Sequence, residues 1–112
     1  MEILEYNGTD FKTLMEFEGW KIGFCRYSER FSAYTVEERH LETDEAFVLL
    51  AGSATLYENG MPHQMELCKV YNVKKGNWHH CVLSEDATVM VVENQNTSKS
   101  NTEKRSVSNA HQ

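Results

Sequence analysis

The 112-residue chain has little of what would interrupt, cross-link or anchor a fold. It carries one proline, Pro62, and three cysteines, Cys25, Cys68 and Cys81. An odd cysteine count without a CxxC spacing argues against a disulfide framework. No apolar run approaches the roughly 18 residues of a membrane span. The opening Met1-Glu-Ile-Leu-Glu-Tyr is acidic and too poor in apolar residues for a secretory signal. The expected setting is cytoplasmic, away from a membrane, where the glycosylation patterns at Asn7 and Asn96 carry no meaning. Positive charge is also scarce: 11 Lys and Arg stand against 17 Asp and Glu, for a net charge of −6. Phosphate-gripping proteins usually display a basic face, whereas the densest basic cluster here is Lys74-Lys75. No nucleic-acid partner is expected. The chain has no Gly-x-Ser-x-Gly elbow, phosphate-binding Gly loop or Rossmann fingerprint, which leaves nucleophilic and nucleotide-dependent chemistry without support.

What the chain does have is short segments of period two separated by turn residues. Trp20–Tyr27 alternates, and Trp20, Ile22, Phe24 and Arg26 are taken as the inward set. Phe31–His40 repeats the pattern with Tyr34, Val36, Glu38 and His40 on one face. Ala46–Leu50, Ala54–Tyr57, Met65–Val73, His79–Leu83 and Thr88–Glu93 supply further strands. Asn59-Gly60 is a hairpin signal, and Pro62 beside it belongs outside any central strand. Residues 1–9 read as a short edge strand and a turn. Phe11, Leu14 and Met15 have helix-like spacing, so Phe11–Met15 reads as a brief helical turn or an irregular flap. Regular short strands of this kind predict an all-β barrel or sandwich in one domain, residues 1–93. From Asn94 to Gln112 the only apolar residues are Val107 and Ala110. That stretch has too little to bury to offset its ordering entropy, and it reads as a tail, mobile or ordered against a partner chain.

Chemistry concentrates in Glu38 to Gly52. Glu38 and His40 are two apart and share a strand face. His40 and Glu45 are five apart and meet only if the chain turns between them, for which Glu42-Thr43-Asp44 has the right polarity. A second segment, Lys74 to His80, offers His79 three residues after Gly76, a position where the backbone can turn. Two separated segments delivering imidazoles, one with carboxylates, suit a divalent metal. By the same parity Asp44 and His80 point away from the site. His63 and His111 are not expected to act, and Cys81 shares the His79 face.

At these residues the chain resembles the cupins. Their first motif has two His separated by one residue, then three or four residues, Glu, six residues and Gly. His40, Glu45 and Gly52 fit its second half, and Glu38 stands where the first His would be. Their second motif runs Gly, five residues, Pro-x-Gly, two residues, His, three residues, Asn. Gly76 and His79 fit, with Cys68 at the first Gly, Lys74 at the Pro and Leu83 at the Asn. The resemblance covers roughly residues 34 to 92 and implies a single compact jelly-roll barrel that pairs as a homodimer. It also implies a divalent metal held by His40, Glu45 and His79, with Glu38 a candidate fourth donor. Two nitrogens and two oxygens suit manganese, iron, nickel or zinc. Gly-x-Trp-His-His is in addition similar to a segment of the ureidoglycolate lyases.

The expected function is binding of a small polar metabolite, a sugar or a carboxylate, at the barrel mouth. Metal-assisted lyase, isomerase or related chemistry would use Glu38 or Glu45 as base. The alternative is a non-catalytic, metal-free binding or sensing barrel, since cupin folds host many functions. Arg26, Tyr34, Phe47, Tyr71 and Cys81 are the expected pocket residues. Arg26 and Tyr34 are its expected polar contacts.

Overall fold

The structure, a computed structural model, describes residues 1–107. Ten strands are present among them: β1 (Asp10–Phe17), β2 (Trp20–Arg26), β3 (Val36–His40), β4 (Glu45–Ala51), β5 (Ala54–Glu58), β6 (Met61–Gln64), β7 (Val70–Val73), β8 (His79–Leu83), β9 (Thr88–Asn94) and β10 (Thr102–Ser106). They form two five-stranded antiparallel sheets, ordered β1-β2-β9-β4-β7 and β10-β3-β8-β5-β6. Inward side chains of both sheets make one core around Leu49 and Val89, with Phe47, Leu56, Cys81 and Val91 against them. The architecture is the all-β jelly roll anticipated from the alternating pattern. Among the described residues, helical structure is limited to single 3-10 turns at Glu29–Phe31 and Lys99–Asn101. No helix among the described residues is long and apolar enough to cross a membrane.

Several expectations need correction. Phe11–Met15 is not helical but lies within β1, paired along β2 with a register shift between Thr13 and Met15. The extra residue, Leu14, turns a step of two into a step of three, which imitates helical spacing. Residues 1–7 form no strand. The inward set of β2 is the opposite one: Gly23 and Cys25 are buried, paired with Val91 and Val89 of β9. Strand periodicity gives two faces but not which is inside, and here both faces of β2 carry apolar residues. Met65–Val73 is not one strand. Its regular part is β7, preceded by Cys68 in a left-handed backbone (φ 63°). Pro62, as expected, is in no central strand: it lies in β6, at the edge of its sheet. The polar stretch after Asn94 is not a free tail as far as residue 107. Strand β10 pairs with β3 of the same chain in five register pairs, and Asn101 beside it is buried. His111 lies outside the described residues.

Gly52 follows β4 at φ 71°, and a Cβ there would sit 2.6 Å from the Ala87 Cα. Gly60, at φ 81° in the Asn59-Gly60 hairpin, has nothing within 4 Å. Alanine at either site incurs the left-handed penalty of roughly 1–2 kcal/mol, but only Gly52→Ala must also push the Ala87 backbone. Overpacking of this kind adds about 1–3 kcal/mol. Urea unfolding is expected to show Gly52→Ala clearly less stable than Gly60→Ala. Equal losses would mean that the β4–β5 turn yields freely.

Candidate metal centre

The two ends of the chemistry-bearing segments meet at one mouth of the barrel. β3 ends at His40, the chain turns through Leu41–Asp44, and Glu45 opens β4 in the other sheet. Asp44 stabilises that turn by accepting from the Lys75 N–H (2.8 Å) and the Asn72 amide (3.0 Å), as befits a turn residue rather than a ligand. Gly76, at φ 83°, turns the chain before β8. Its N–H donates to the His40 carbonyl (2.7 Å), tying the two segments together. Glu38 is the register partner of His79 across β3 and β8.

Glu45 Oε1 lies 3.1 Å from His40 Nε2 and 2.9 Å from His79 Nε2, and all three residues are buried. Glu38 Oε1 is 3.9 Å from His40 Nε2. The donor atoms of Glu38, His40 and His79 lie within 4.8 Å of one another, as do those of His40, Glu45 and Glu93. All four residues named from the sequence therefore converge, and Glu93 joins them. Glu93 was missed by the sequence reading. It is the register partner of both Glu45 and Lys21, and it continues the inward row Val89, Val91 by simple alternation. Lys21 extends the inward row of β2. It donates to the Thr97 carbonyl (2.8 Å) and stands 3.8 Å from Glu93.

Hydrogen bonding settles one tautomer. His79 Nδ1 faces the Asn77 carbonyl at 3.1 Å, and a carbonyl only accepts. Nδ1 therefore carries the proton, and the neutral ring would aim the Nε2 lone pair at the Glu45 carboxylate. That contact requires a proton or a cation between the two atoms. His40 is held likewise, with Nδ1 2.9 Å from Thr102 Oγ1. Metal-binding imidazoles are typically fixed through their second nitrogen in this way. Bonds of about 2.1 Å at right or tetrahedral angles place neighbouring donors roughly 3–3.4 Å apart, and the separations found here run from 2.9 to 3.9 Å. The residues present thus fit a divalent ion.

The same contacts shift the titrations. Burial alone would raise Glu45, but hydrogen bonds from His40 and His79 outweigh it and hold the carboxyl well below the usual range. Burial and the neighbouring Glu45 push Glu93 up to about 9. Burial lowers His79, yet the Glu45 hydrogen bond outweighs it and the net shift is upward. A raised His79 stabilises the fold below the unfolded value near 6.5, and that contribution is lost as pH rises through the folded value. Glu93 acts in the same direction between 4.5 and about 9, whereas Glu45 contributes above 4.5 and loses its contribution on acidification. The melting temperature of the metal-free protein is accordingly expected to be highest at mildly acidic pH and to decline towards about pH 9. A flat profile over that range would mean that the cluster does not hold its protons.

Below the mouth lies a cavity of about 890 Å³. Phe47 and Cys81 line it as expected. Burial pushes the Cys81 thiol up to about 12, so it is an unreactive wall. Three expected pocket residues lie elsewhere. Arg26 is on the outward side of β2 and donates to Thr88 Oγ1 (2.8 Å). Tyr34 precedes β3, stacks on Tyr57 and His80, and donates to Glu37. Tyr71 borders a separate small recess and accepts from the Glu66 N–H (2.9 Å). His80 alternates with His79 along β8, but it is not the rim or outside residue expected: it is buried and is among the residues that line the cavity. Phe31 stacks on it at 5.8 Å and Nε2 bonds to the Arg30 carbonyl. Part of the wall was not anticipated: Arg30, Phe31 and Glu37 contribute to it, and Thr97, Lys99, Thr102, Lys104 and Arg105 come from the polar C-terminal stretch.

No family model matches the chain, and no curated protein matches it in sequence. Solved structures do match in shape. A cupin-2 domain protein from Shewanella frigidimarina has a TM-score of 0.64 at 16% identity, over 80% of this chain and 85% of that one. KdgF from Halomonas sp. has a TM-score of 0.65 at 10% identity, over 88% and 91%. Streptomyces Pac13, described as a nucleoside dehydratase and also solved with uridine, has a TM-score of 0.66 at 12% identity, over 93% and 84%.

Proposed function

On the cupin jelly-roll barrel that this chain forms, we propose a small metal-dependent enzyme that acts on a small carboxylate or sugar at the barrel mouth. The observation that carries this reading is the pair of imidazole Nε2 atoms directed at one buried carboxylate oxygen. His40, His79 and Glu45 would hold manganese, iron, nickel or zinc, with Glu38 as the further donor. The bound metal supplies Lewis-acid polarisation of a substrate carbonyl or hydroxyl. Glu45 is committed to two imidazoles, so Glu38, where it does not itself ligate the metal, is the better placed of the two carboxylates to move a proton. The cavity wall carries both signs of charge, Glu37, Glu38, Glu45 and Glu93 beside Arg30, Lys99, Lys104 and Arg105, as suits a small polar ligand.

The test is elemental analysis of the purified protein, then metal titration followed by its melting temperature, since a ligand of the folded state alone raises it. Thr102 gives a graded version. Thr102→Val keeps the shape but removes the partner of His40 Nδ1, and is expected to weaken metal affinity about 10–100-fold. Thr102→Ser is expected to restore most of it. Unchanged affinity in Thr102→Val would remove His40 from the ligand set. The metal-free binding barrel would instead show stabilisation by a small carboxylate without metal and without turnover.

A further inference from the structure

Beside the metal centre stands a carboxylate that neither sequence motif supplies. Glu93 lies beyond Leu83, the last position of the second motif. The inner face of the sheet β1-β2-β9-β4-β7 explains its place. Register sets Cys25, Val89 and Leu49 side by side in one inward row, and Gly23, Val91 and Phe47 in the next. The following row, at the mouth, is Lys21, Glu93 and Glu45. Charged side chains thus stand in register where the rows below them are apolar. Charges directed into a protein are kept where they are paired or hold a metal.

Pairing with Lys21 does not account for Glu93. The Lys21 ammonium donates to the Thr97 carbonyl (2.8 Å) and stands 3.8 Å from the Glu93 carboxylate, beyond hydrogen-bond reach. The Glu93 side chain is nevertheless only 9% exposed, against 24% for that of Glu38. Its cross-strand neighbour is Glu45. Like charges directly opposite on a sheet are destabilising, so two buried carboxylates in that relation need a proton or a cation between them. A Glu93 oxygen lies within 4.8 Å of both a ring nitrogen of His40 and an oxygen of Glu45. Glu93 also lines the cavity together with His40, Glu45 and His79.

We propose that Glu93 is a further metal donor, and that it shifts the preference of the centre towards manganese and iron and away from nickel and zinc. The inference rests on the metal centre proposed above and deepens it. Charge agrees: the carboxylates of Glu38, Glu45 and Glu93 are balanced by one divalent ion and the Lys21 ammonium. Lys21 is a positioning residue, held on the Thr97 carbonyl so that its charge favours an ionised Glu93 without a hydrogen bond that competes with the ion. Donor chemistry sets the direction of the preference. Imidazoles suit nickel and zinc, and zinc is commonly satisfied by four donors. Each added carboxylate makes the donor set harder and larger, which suits manganese. Absolute affinities still follow the general order of the divalent ions, so the effect is read as a change in the ratio of manganese to zinc affinity.

The experiment is calorimetric titration of the full chain with manganese and with zinc, parent against Glu93→Gln. The amide keeps the size of the side chain and a donor towards Glu45, and gives up the charge. Manganese affinity is expected to fall at least about tenfold and zinc affinity about threefold or less. Glu103→Gln removes a half-exposed carboxylate from the outward side of β10. It is expected to leave both affinities unchanged, which separates the role of Glu93 from net charge. Diffraction from the manganese-loaded parent keeps the test open should Glu93→Gln misfold: a Glu93 oxygen is expected within about 2.5 Å of the ion. Equal losses for the two metals, no loss for either, or a Glu93 carboxylate well outside bonding distance overturns the proposal. If the parent binds both metals and Glu93→Gln binds them as well, the centre stands and Glu93 is no part of it. A parent that binds neither metal overturns the centre itself, and this role of Glu93 with it.

Discussion

Replacing both His40 and His79 is expected to abolish metal binding, the largest effect any pair of substitutions should have on this protein. Alanine is the weaker choice for this test. Each imidazole also satisfies the buried Glu45 carboxylate, and stripping one partner from a buried ionic contact costs about 3–5 kcal/mol. Small domains have only about 5–15 kcal/mol in total. The double alanine variant would confuse loss of the metal with loss of the fold. His40→Gln with His79→Gln leaves an amide to donate to Glu45 and takes away both aromatic nitrogen ligands. Parent protein incubated with manganese, iron, nickel or zinc is expected to retain about one equivalent of one of them, as a single three- or four-donor site would. The double variant is expected to retain none while unfolding cooperatively. A parent that takes up none of the four metals would sink the metalloenzyme reading and leave a carboxylate–imidazole cluster in a binding barrel.

That this site was visible in the sequence at all follows from its locality. His40 and Glu45 are separated by a single turn whose residues are turn-formers, and His79 follows a glycine that occupies a left-handed backbone. Motif spacing records such short-range geometry well. Even a mismatched position keeps its conformation. Cys68, standing where the cupin pattern has its first glycine, adopts φ 63°, in the region that favours glycine. The motif position therefore specifies a backbone shape more strictly than a residue type.

Long-range facts were less legible. Glu93 reaches Glu45 only through the β4–β9 register, 48 residues along the chain, and no spacing rule links them. Alternation from Val89 and Val91 would have pointed to it. The face of β2 was misread for a reason the outward surface explains. Ile22, Phe24 and Trp20 are the larger apolar residues of β2, and the larger apolar set is the natural inward set. Here it is the outward set. The misassignment of Arg26 to the pocket followed from the same inversion, and Lys21, on the true inward side, was overlooked with it. Tyr34 was placed by starting β3 at Phe31, five residues before Val36, where a bend follows the end of a 3-10 turn.

The boundary set at residue 93 gives the second large effect. A chain ending there loses β10, and each consequence falls on a buried group. Glu37 is 6% exposed and bonded to Arg105 at 2.6 Å. Without Arg105 its carboxylate keeps only Tyr34. His40 loses Thr102 at Nδ1, and the Leu41 N–H loses the Asn101 carbonyl. The edge of β3 loses its five register partners and opens to pairing with other chains. One orphaned buried carboxylate is worth about 3–5 kcal/mol, and each unpaired buried backbone or ring group about 1–3 kcal/mol. Together these approach the whole stability of a small domain. Residues 1–93 are therefore expected to be aggregated or to unfold without a cooperative transition, where the full chain melts cooperatively. A soluble 1–93 fragment with the melting temperature of the full chain would show that the barrel is complete without β10. Composition misleads here because β10 is held by pairing and by charge, not by burying apolar surface. Its inward residues, Thr102 and Lys104, face the metal centre and the cavity, where polarity is what the site requires.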